Sequence, residues 1–194
     1  MPRTISHEVA RRYLVLRHFL APPRSLPAEP ASVLRVFERL GSVQFDPLDI
    51  VGRNHDLVLL ARINGYKRQW TDDLLYRERT LYETYNKGLS LVPTSELPWY
   101  RVSWDLYRER FEKATFQEHE ALVNELLERI QLALAGILGI VRRDGNRRVY
   151  DLVERLFPSE LLGERHPIDE QRRHKLLSRY RAHGLLGPTG SGEV

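Results

Sequence analysis

The sequence has no cysteine among its 194 residues. A disulfide framework, a thiolate metal ligand and a thiol nucleophile are therefore excluded. No apolar run approaches the roughly 20 residues of a membrane-spanning helix, and the N-terminus lacks the apolar core of a signal peptide. We therefore expect a cytoplasmic protein with no membrane partner.

The familiar enzyme signatures are also missing. The sequence contains no HExxH, GxSxG, GxGxxG or Walker pattern. Seven histidines are present, and we interpret three of them, His166, His174 and His183, as part of a charged helix surface. We therefore expect no metal and no cofactor.

Lysine is scarce, because only four of the 30 basic residues are lysine and 26 are arginine. Arginine makes planar, bidentate contacts with phosphate and guanine, although a high-GC genome would enrich arginine just as well. The formal charge is +4 over residues 1–43, −3 over 44–130 and +3 over 131–194. Two basic ends thus flank an acidic middle, which is compatible with nucleic-acid binding.

Helical spacing of apolar residues dominates the chain. Ser6 is a typical N-cap for a first helix that Pro22 and Pro23 stop, and a second helix ends at Gly41. A short strand follows, an opening that resembles a winged helix. A further helix is predicted from Thr71, and a last one from Pro167 to His183. The pattern predicts a mainly α fold with small β wings (α+β).

Two segments have the pattern of a β-hairpin. Residues 81–93 are rich in aromatics and interrupted at residues 86–88, and residues 139–152 hold Asp144-Gly145 between two β-prone runs. Four arginines flank the second turn: Arg142, Arg143, Arg147 and Arg148. At the position of a wing they are candidates for phosphate or minor-groove contacts. The alternative is an ordinary solvated hairpin.

The segment of residues 41–47, GSVQFDP, carries the strongest chemical signal. In a strand, Gln44 and Asp46 face one way while Val43 and Phe45 face the core. Pro47 lacks an N–H and favours extended geometry at Asp46, which would fix the direction of the carboxylate. On the pattern alone, this pair is equally the polar face of a half-exposed strand.

Residues 40–63, LGSVQFDPLDIVGRNHDLVLLARI, resemble the signature of the YcaQ/AlkZ-type winged-helix DNA glycosylases. The family carries a Gln-hydrophobic-Asp or Gln-hydrophobic-Gln motif, here Gln44-Phe45-Asp46. Residues 81–93 resemble its Ser-Leu-x-Pro element, and residues 136–158 its Arg-x-Tyr-Asp-Leu region. The three matches occur in the family's order.

The resemblance implies a monofunctional DNA glycosylase that hydrolyses the N-glycosidic bond of N7-alkylated purines, including interstrand crosslinks, in DNA repair. Asp46 would orient and deprotonate water and stabilise an oxocarbenium-like sugar, and Gln44 would hold that water or a sugar-phosphate oxygen. Arg53 and His55 would reach the adjacent DNA backbone, or they are ordinary surface residues. The expected partner is damaged double-stranded DNA, bound by a monomer without a metal.

Two departures from the family bear on the domain organisation. We expect a tandem winged-helix architecture with one unit at residues 1–115, carrying the motif, and a second at 116–194, carrying the arginine-rich hairpin. A Gly-, Pro- and Trp-rich segment that the family has near Gln131 is missing here, and the family continues beyond Val194. These parts are either deleted or absent from this sequence, and an inactive form that still folds and binds is one alternative. The other is a non-catalytic winged-helix regulator, which would bind one DNA sequence far better than others.

Overall fold

The structure is a computed structural model of the chain, and it describes residues 4–46, 49, 51–85, 88–113, 129, 131–145 and 147–185, with side chains of residues 110–113 left out. Its helices are α1 His7–Arg17, α2 Pro30–Leu40, α3 Asn54–Leu60, α4 Arg68–Tyr76, a 3₁₀ helix Thr94–Tyr100, α5 Arg101–Lys113, α6 Val153–Leu156, α7 Ser159–Gly163 and α8 Ile168–His183. Its strands are β1 Val43–Gln44, β2 Leu81–Tyr85, β3 Leu89–Pro93, β4 Leu138–Asp144 and β5 Arg147–Leu152. The predicted mainly α fold with small β elements is confirmed.

The start of α1 and the end of α2 follow the signals in the sequence. The Ser6 Oγ accepts a hydrogen bond from the Val9 N–H at 3.2 Å, and Gly41 ends α2 with a φ of 74°. The prediction that Pro22 and Pro23 stop the first helix is wrong, because α1 ends at Arg17 and the chain turns at Phe19, which has a φ of 55°.

The predicted start of α4 at Thr71 is wrong, because α4 begins at Arg68. Thr71 is buried inside the helix, where its hydroxyl lies 2.7 Å from the Tyr66 hydroxyl. Its side chain therefore serves tertiary packing, not helix capping.

A three-stranded antiparallel sheet in the order β1-β3-β2 lies at the centre of the protein. Val43 pairs with Leu91 and Gln44 with Ser90, while the predicted hairpin of β2 and β3 is confirmed. The Phe45 N–H continues the ladder by donating to the Leu89 carbonyl at 2.8 Å. β1 is thus a very short edge strand with few backbone bonds to hold it.

The sheet is covered by apolar side chains on both faces. One face joins a core that α2, α3 and α4 complete, with these buried members: Leu26, Val33, Val36, Phe37, Val43, Phe45, Leu59, Ile63, Leu74, Leu75, Leu81 and Leu91. The other face joins a second core with these members: Tyr82, Val92, Leu97, Tyr100, Trp104, Val153 and Phe157. Alternate residues of β2 and β3 therefore enter different cores.

The second predicted hairpin is also confirmed, with β4 and β5 joined at Asp144-Gly145. Its register shifts between Ile140 and Arg142, which marks a β-bulge in β4. A bulge adds one residue to one strand and so changes which side chains face inward beyond it.

The C-terminal helix α8 packs against α2, α5 and the 3₁₀ helix. Our interpretation of His166 and His174 as part of a charged helix surface is wrong, because His166 precedes α8 and both rings stack on Trp99, with ring centroids 3.6 and 4.0 Å away. His174 also lies 2.7 Å from the Glu96 carboxylate. His183 is exposed, as interpreted. The spacing of the histidines in the sequence gave no indication that two of their rings stack on Trp99.

Two expectations are left open by the fold. The division into winged-helix units at residues 1–115 and 116–194 stays a prediction. Residues 117–130, QEHEALVNELLERI, have the pattern of an amphipathic helix, and this prediction lies outside the described residues apart from residue 129. Within the described residues, no helix is long and apolar enough to cross a membrane.

Gly136 and Gly145 both have a positive φ, but only Gly136 lies too close to another side chain for a Cβ, so alanine substitutions at the two sites distinguish backbone strain from steric clash. Gly136 and Gly145 have φ of +68° and +61°, but a Cβ at Gly136 would overlap the Trp104 indole, whereas a Cβ at Gly145 would meet nothing within 4 Å. We predict that Gly145→Ala lowers the free energy of unfolding by about 1 kcal/mol, and Gly136→Ala by about 1–3 kcal/mol more, since the clash adds to the strain. Urea denaturation measures both, and equal losses would contradict the packing of Trp104 described above.

Candidate functional site

The side chains of residues 43–46 alternate between the two faces as the sequence predicted. Val43 and Phe45 are buried in the first core, whereas Gln44 is exposed and Asp46 is partly buried. The Gln44 amide, in β1, and the Asp46 carboxylate, two residues further along the chain, therefore both lie on the side of this segment that leaves the first core. The predicted influence of Pro47 lies outside the described residues.

The backbone of Gln44 is fixed by a residue that we did not predict. The Gln44 and Ser90 pair exchanges no ladder bonds, so the Gln44 carbonyl points away from β3. The side-chain Nδ2 of Asn54, the first residue of α3, donates to this carbonyl at 2.9 Å. The bond ties the free edge of β1 to the next helix. Ten residues of sequence separate the partners, and no periodic pattern indicates the contact.

A row of polar side chains crosses the sheet from Gln44. The register places Gln44 beside Ser90, and Ser90 beside Thr84. Ser90 and Thr84 are both buried, and the Ser90 hydroxyl donates to the Gly88 carbonyl at 3.1 Å. Directly opposite residues in a sheet share a face, so the exposed amide of Gln44 is the outer end of this polar row.

His55 is not a surface residue, and it does not face solvent where DNA would approach. It is fully buried, with its ring stacked against Phe45 at a centroid distance of 5.1 Å. Burial lowers the pKa of His55 to about 4, against the opposing pull of the Asp56 carboxylate. His55 is therefore neutral at physiological pH and supports the motif from inside.

Arg53 is likewise engaged within the protein. Its guanidinium contacts Asp56 at 2.5 Å and Asp72 at 2.8 Å, and its side chain is mostly buried. Burial opposes ionisation of Asp56, but hydrogen bonds from Arg53 and Tyr66 outweigh it and hold the pKa of that carboxyl below its usual range. The bond to Asp72 directs the Arg53 side chain towards α4. Contact of Arg53 with DNA stays a prediction, and in this structure its guanidinium is engaged by two carboxylates.

The four arginines of the hairpin divide into two pairs. Register places Arg143 opposite Arg148 on one face, and both are only partly exposed. Arg148 donates to the Tyr85 hydroxyl at 3.1 Å, and Arg143 to the Glu83 carboxylate at 2.5 Å. Arg142 and Arg147 are exposed on the other face. A wing in solvent would leave Arg147 and Arg148 exposed, and this prediction is wrong for Arg148, because the hairpin packs against β2.

A cavity of about 530 Å³ lies beside the beginning of β1, lined by α2, the 3₁₀ helix and α8. Ser42, Arg39, Glu96 and Lys175 are among its lining residues, but Gln44 and Asp46 are not. We therefore do not place the chemistry of the motif in this cavity. Among the described residues, no group of three or more histidine, aspartate or glutamate side chains is arranged to hold a metal ion.

The family model described as DNA glycosylase AlkZ-like matches residues 37–135, a little over half of the chain. The chain belongs to the AlkZ-like DNA glycosylase family. The matched range of this AlkZ-like chain contains the Gln44-Phe45-Asp46 motif and the whole β1-β3-β2 sheet, but it ends before the arginine-bearing hairpin. No solved structure matches the chain.

The neutral state of His55 generates a prediction about pH. The unfolded chain takes up a proton near pH 6.5, whereas the folded chain resists it until about pH 4. Stability is therefore lost as the pH falls through this window, by about 3 kcal/mol at one pKa unit per 1.36 kcal/mol. His55→Phe keeps an aromatic ring against Phe45 but cannot take up a proton. The difference in unfolding free energy between this variant and wild type should therefore change by about 3 kcal/mol between pH 7 and pH 4.

Urea denaturation at several pH values measures the difference. The control is His7→Gln, because His7 is exposed in the first turn of α1. A difference for His55→Phe that is independent of pH would show that His55 titrates as freely in the folded protein as in the unfolded one.

Proposed function

We propose that this AlkZ-like chain hydrolyses the N-glycosidic bond of N7-alkylated purines in duplex DNA, including interstrand crosslinks, and leaves an abasic site without cutting the strand. The observation that carries the proposal is the alternation over residues 43–46, in which Val43 and Phe45 enter the core while Gln44 is exposed and Asp46 is partly buried. This motif lies within the residues that match the family.

The chemistry of the substrate makes a single carboxylate sufficient. An N7-alkylguanine already carries a positive charge, so the leaving base needs little protonation. The remaining demands are an activated water and a negative charge near the oxocarbenium-like sugar. In the proposal, the Asp46 carboxylate supplies both.

Gln44 has a different part in the proposal. Its amide both donates and accepts hydrogen bonds, so it can hold the attacking water or a sugar-phosphate oxygen. Its exposure leaves the amide accessible to DNA, while the Asn54 side chain holds the Gln44 carbonyl at 2.9 Å. No metal or cofactor takes part in the proposed reaction, and the proposed enzyme acts as a cytoplasmic monomer.

The proposed DNA contacts lie on the outer face of the hairpin. Arg142 and Arg147 are exposed there, on either side of the Asp144-Gly145 turn. Arg142 contacts Asp144 at 3.2 Å, but both side chains are more than half exposed, so a phosphate can compete for the guanidinium. Arg143 and Arg148 are also candidate DNA contacts in the sequence, but in this proposal they join the hairpin to Glu83 and Tyr85 of β2.

The catalytic prediction concerns Asp46→Asn, which keeps the shape and removes the charge. We expect single-turnover excision of 7-methylguanine from duplex DNA to slow by at least ~10²-fold, with nearly unchanged affinity for undamaged duplex. Gln44→Ala should slow excision less, because it removes a hydrogen-bonding group and no charge. Heating with alkali cleaves the DNA at the abasic product and so reveals it. A parallel reaction without alkali tests whether the protein itself leaves the strand intact.

The matched control is Asp49→Asn. Asp49 lies three residues from Asp46, is exposed, and pairs with Arg68 at 3.0 Å. Its loss removes the same charge from nearly the same place, so it should leave the excision rate close to that of wild type. Excision that survives Asp46→Asn would overturn the mechanism, and a wild-type protein without excision that binds one sequence selectively would be a regulator.

The DNA-contact prediction concerns the double variant Arg142→Ala/Arg147→Ala. Binding should weaken about equally for all duplex sequences, and the slope of log K against log salt should flatten by about one to two units, because up to two phosphate contacts are lost. Fluorescence anisotropy at several salt concentrations measures this. Arg77→Ala/Arg172→Ala removes two equally exposed charges from α8 and the end of α4 as the control. Equal slopes in both double variants would show that the hairpin is not the contact.

A further inference from the structure

The ring of Phe45, at the centre of the motif, is in contact with a cation. The Arg143 guanidinium carbon lies 3.9 Å from the centroid of the Phe45 ring. The Arg143 side chain is only 8% exposed, so this contact is largely shielded from water, where a cation over an aromatic ring is most stabilising. His55 stacks against the same ring. Phe45 is thus held by two flat groups from different parts of the chain.

Arg143 is itself held in one orientation. Its Nε and Nη2 donate to the two oxygens of Glu83 at 2.9 and 2.5 Å. The Glu83 side chain is 1% exposed, and the Tyr76 hydroxyl donates to its Oε1 at 2.7 Å. A bidentate pair fixes the plane of the guanidinium as well as its position. The plane of Arg143 over Phe45 is therefore set by β2 and α4.

The hairpin that carries Arg143 is anchored to the same body. Arg79 donates to the carbonyls of Ile140 and Val141 at 3.2 and 2.9 Å, beside the bulge. The bulge adds one residue, so that Ile140 and Arg143 lie on the same face although three positions separate them. This geometry turns Arg143 inward and leaves Arg142 exposed.

We propose that Arg143 is a positioning residue for the Gln44-Phe45-Asp46 motif. β1 is a two-residue edge strand with few backbone bonds, so the direction of Gln44 and Asp46 depends on how firmly Phe45 is held between them. Arg143 limits the movement of the Phe45 ring without touching the reacting atoms. The proposal rests on the proposed glycosylase function, and it gives Arg143 a role other than contact with DNA.

Stability alone is a weak reason for this arrangement. Replacing a buried ion pair by apolar or neutral groups of similar size is often neutral or stabilising, whereas removing one partner leaves a costly unpaired charge. A lysine would keep the charge but would lose both the fork that fits Glu83 and the flat surface that covers Phe45. The arrangement thus favours a defined orientation of the ring.

The test compares three forms of the full chain: wild type, Arg143→Lys, and the neutral double variant Arg143→Met/Glu83→Gln. The double variant should fold, because it leaves neither charge alone in the interior. At saturating protein, single-turnover excision of 7-methylguanine should fall ~10- to 100-fold in the double variant, since small misplacements cost this much. Arg143→Lys should lie between the two, and affinity for undamaged duplex should stay within ~2-fold of wild type.

The control is Arg101→Met, because Arg101 is also buried and also lies over an aromatic ring, 5.2 Å from the centroid of Trp104. It should lower the melting temperature yet leave the saturated excision rate unchanged. An equal slowing by Arg101→Met would attribute the effect to general loss of packing and overturn the proposal.

Two further outcomes overturn it. Saturated rates within ~2-fold of wild type in both Arg143 variants would show that the motif does not need the guanidinium. Weaker binding with a flatter salt slope and an unchanged saturated rate would make Arg143 a phosphate contact. In both cases an active wild type leaves the proposed function standing, whereas a wild type that excises no alkylated base overturns both proposals together.

Discussion

The register of β1 on β3 is the constraint on which the candidate site depends. With Val43 opposite Leu91, Phe45 enters the first core and the polar side chains of the motif leave it. A slip of one residue would expose the phenyl ring and bury the amide of Gln44, because side chains alternate with a period of two. Two paired residues make few backbone bonds, so contacts of the side chains must supply most of the energy that selects this register.

Those contacts reach the motif from two separate parts of the chain. Asn54 and His55 come from α3, and Arg143 comes from the distant hairpin, where Glu83 of β2 fixes its orientation. The hairpin packs against β2, and from there its Arg143 side chain also contacts Phe45 of the motif. Packing of the arginine-bearing hairpin and the orientation of Gln44 and Asp46 are in this way coupled through Phe45.

The sequence alone was sufficient for features with local causes. The alternation around Gln44 and Asp46, the Ser6 cap and the Asp144-Gly145 turn each follow from neighbours within a few residues, and each is found in the structure. The family was also recognisable from the ordered motifs.

The errors concern side chains whose partners are distant or lie on another element. Arg143 and Arg148 contact residues of β2 some 60 positions away, and the bulge that turns them inward has no composition signal. Arg53 was expected near the surface, but it lies between two aspartates, one of them on α4. A count of arginines therefore overestimates the charge available to DNA, because several of them neutralise carboxylates inside the fold.

Three ionisable groups near the motif keep constant proton states through neutral pH. Burial keeps His55 neutral, hydrogen bonds from Arg53 and Tyr66 keep Asp56 ionised, and burial beside Glu83 raises the pKa of Tyr76 far above neutrality. The contribution of these three groups to the electrostatic field at the motif therefore stays constant near neutral pH. In the proposed reaction the leaving base is already cationic, so no second acid with a tuned proton state is needed. The proposal thus reduces the demand on the fold to the direction of one carboxylate, and the buried partners of Phe45 restrict the ring that lies between Gln44 and Asp46.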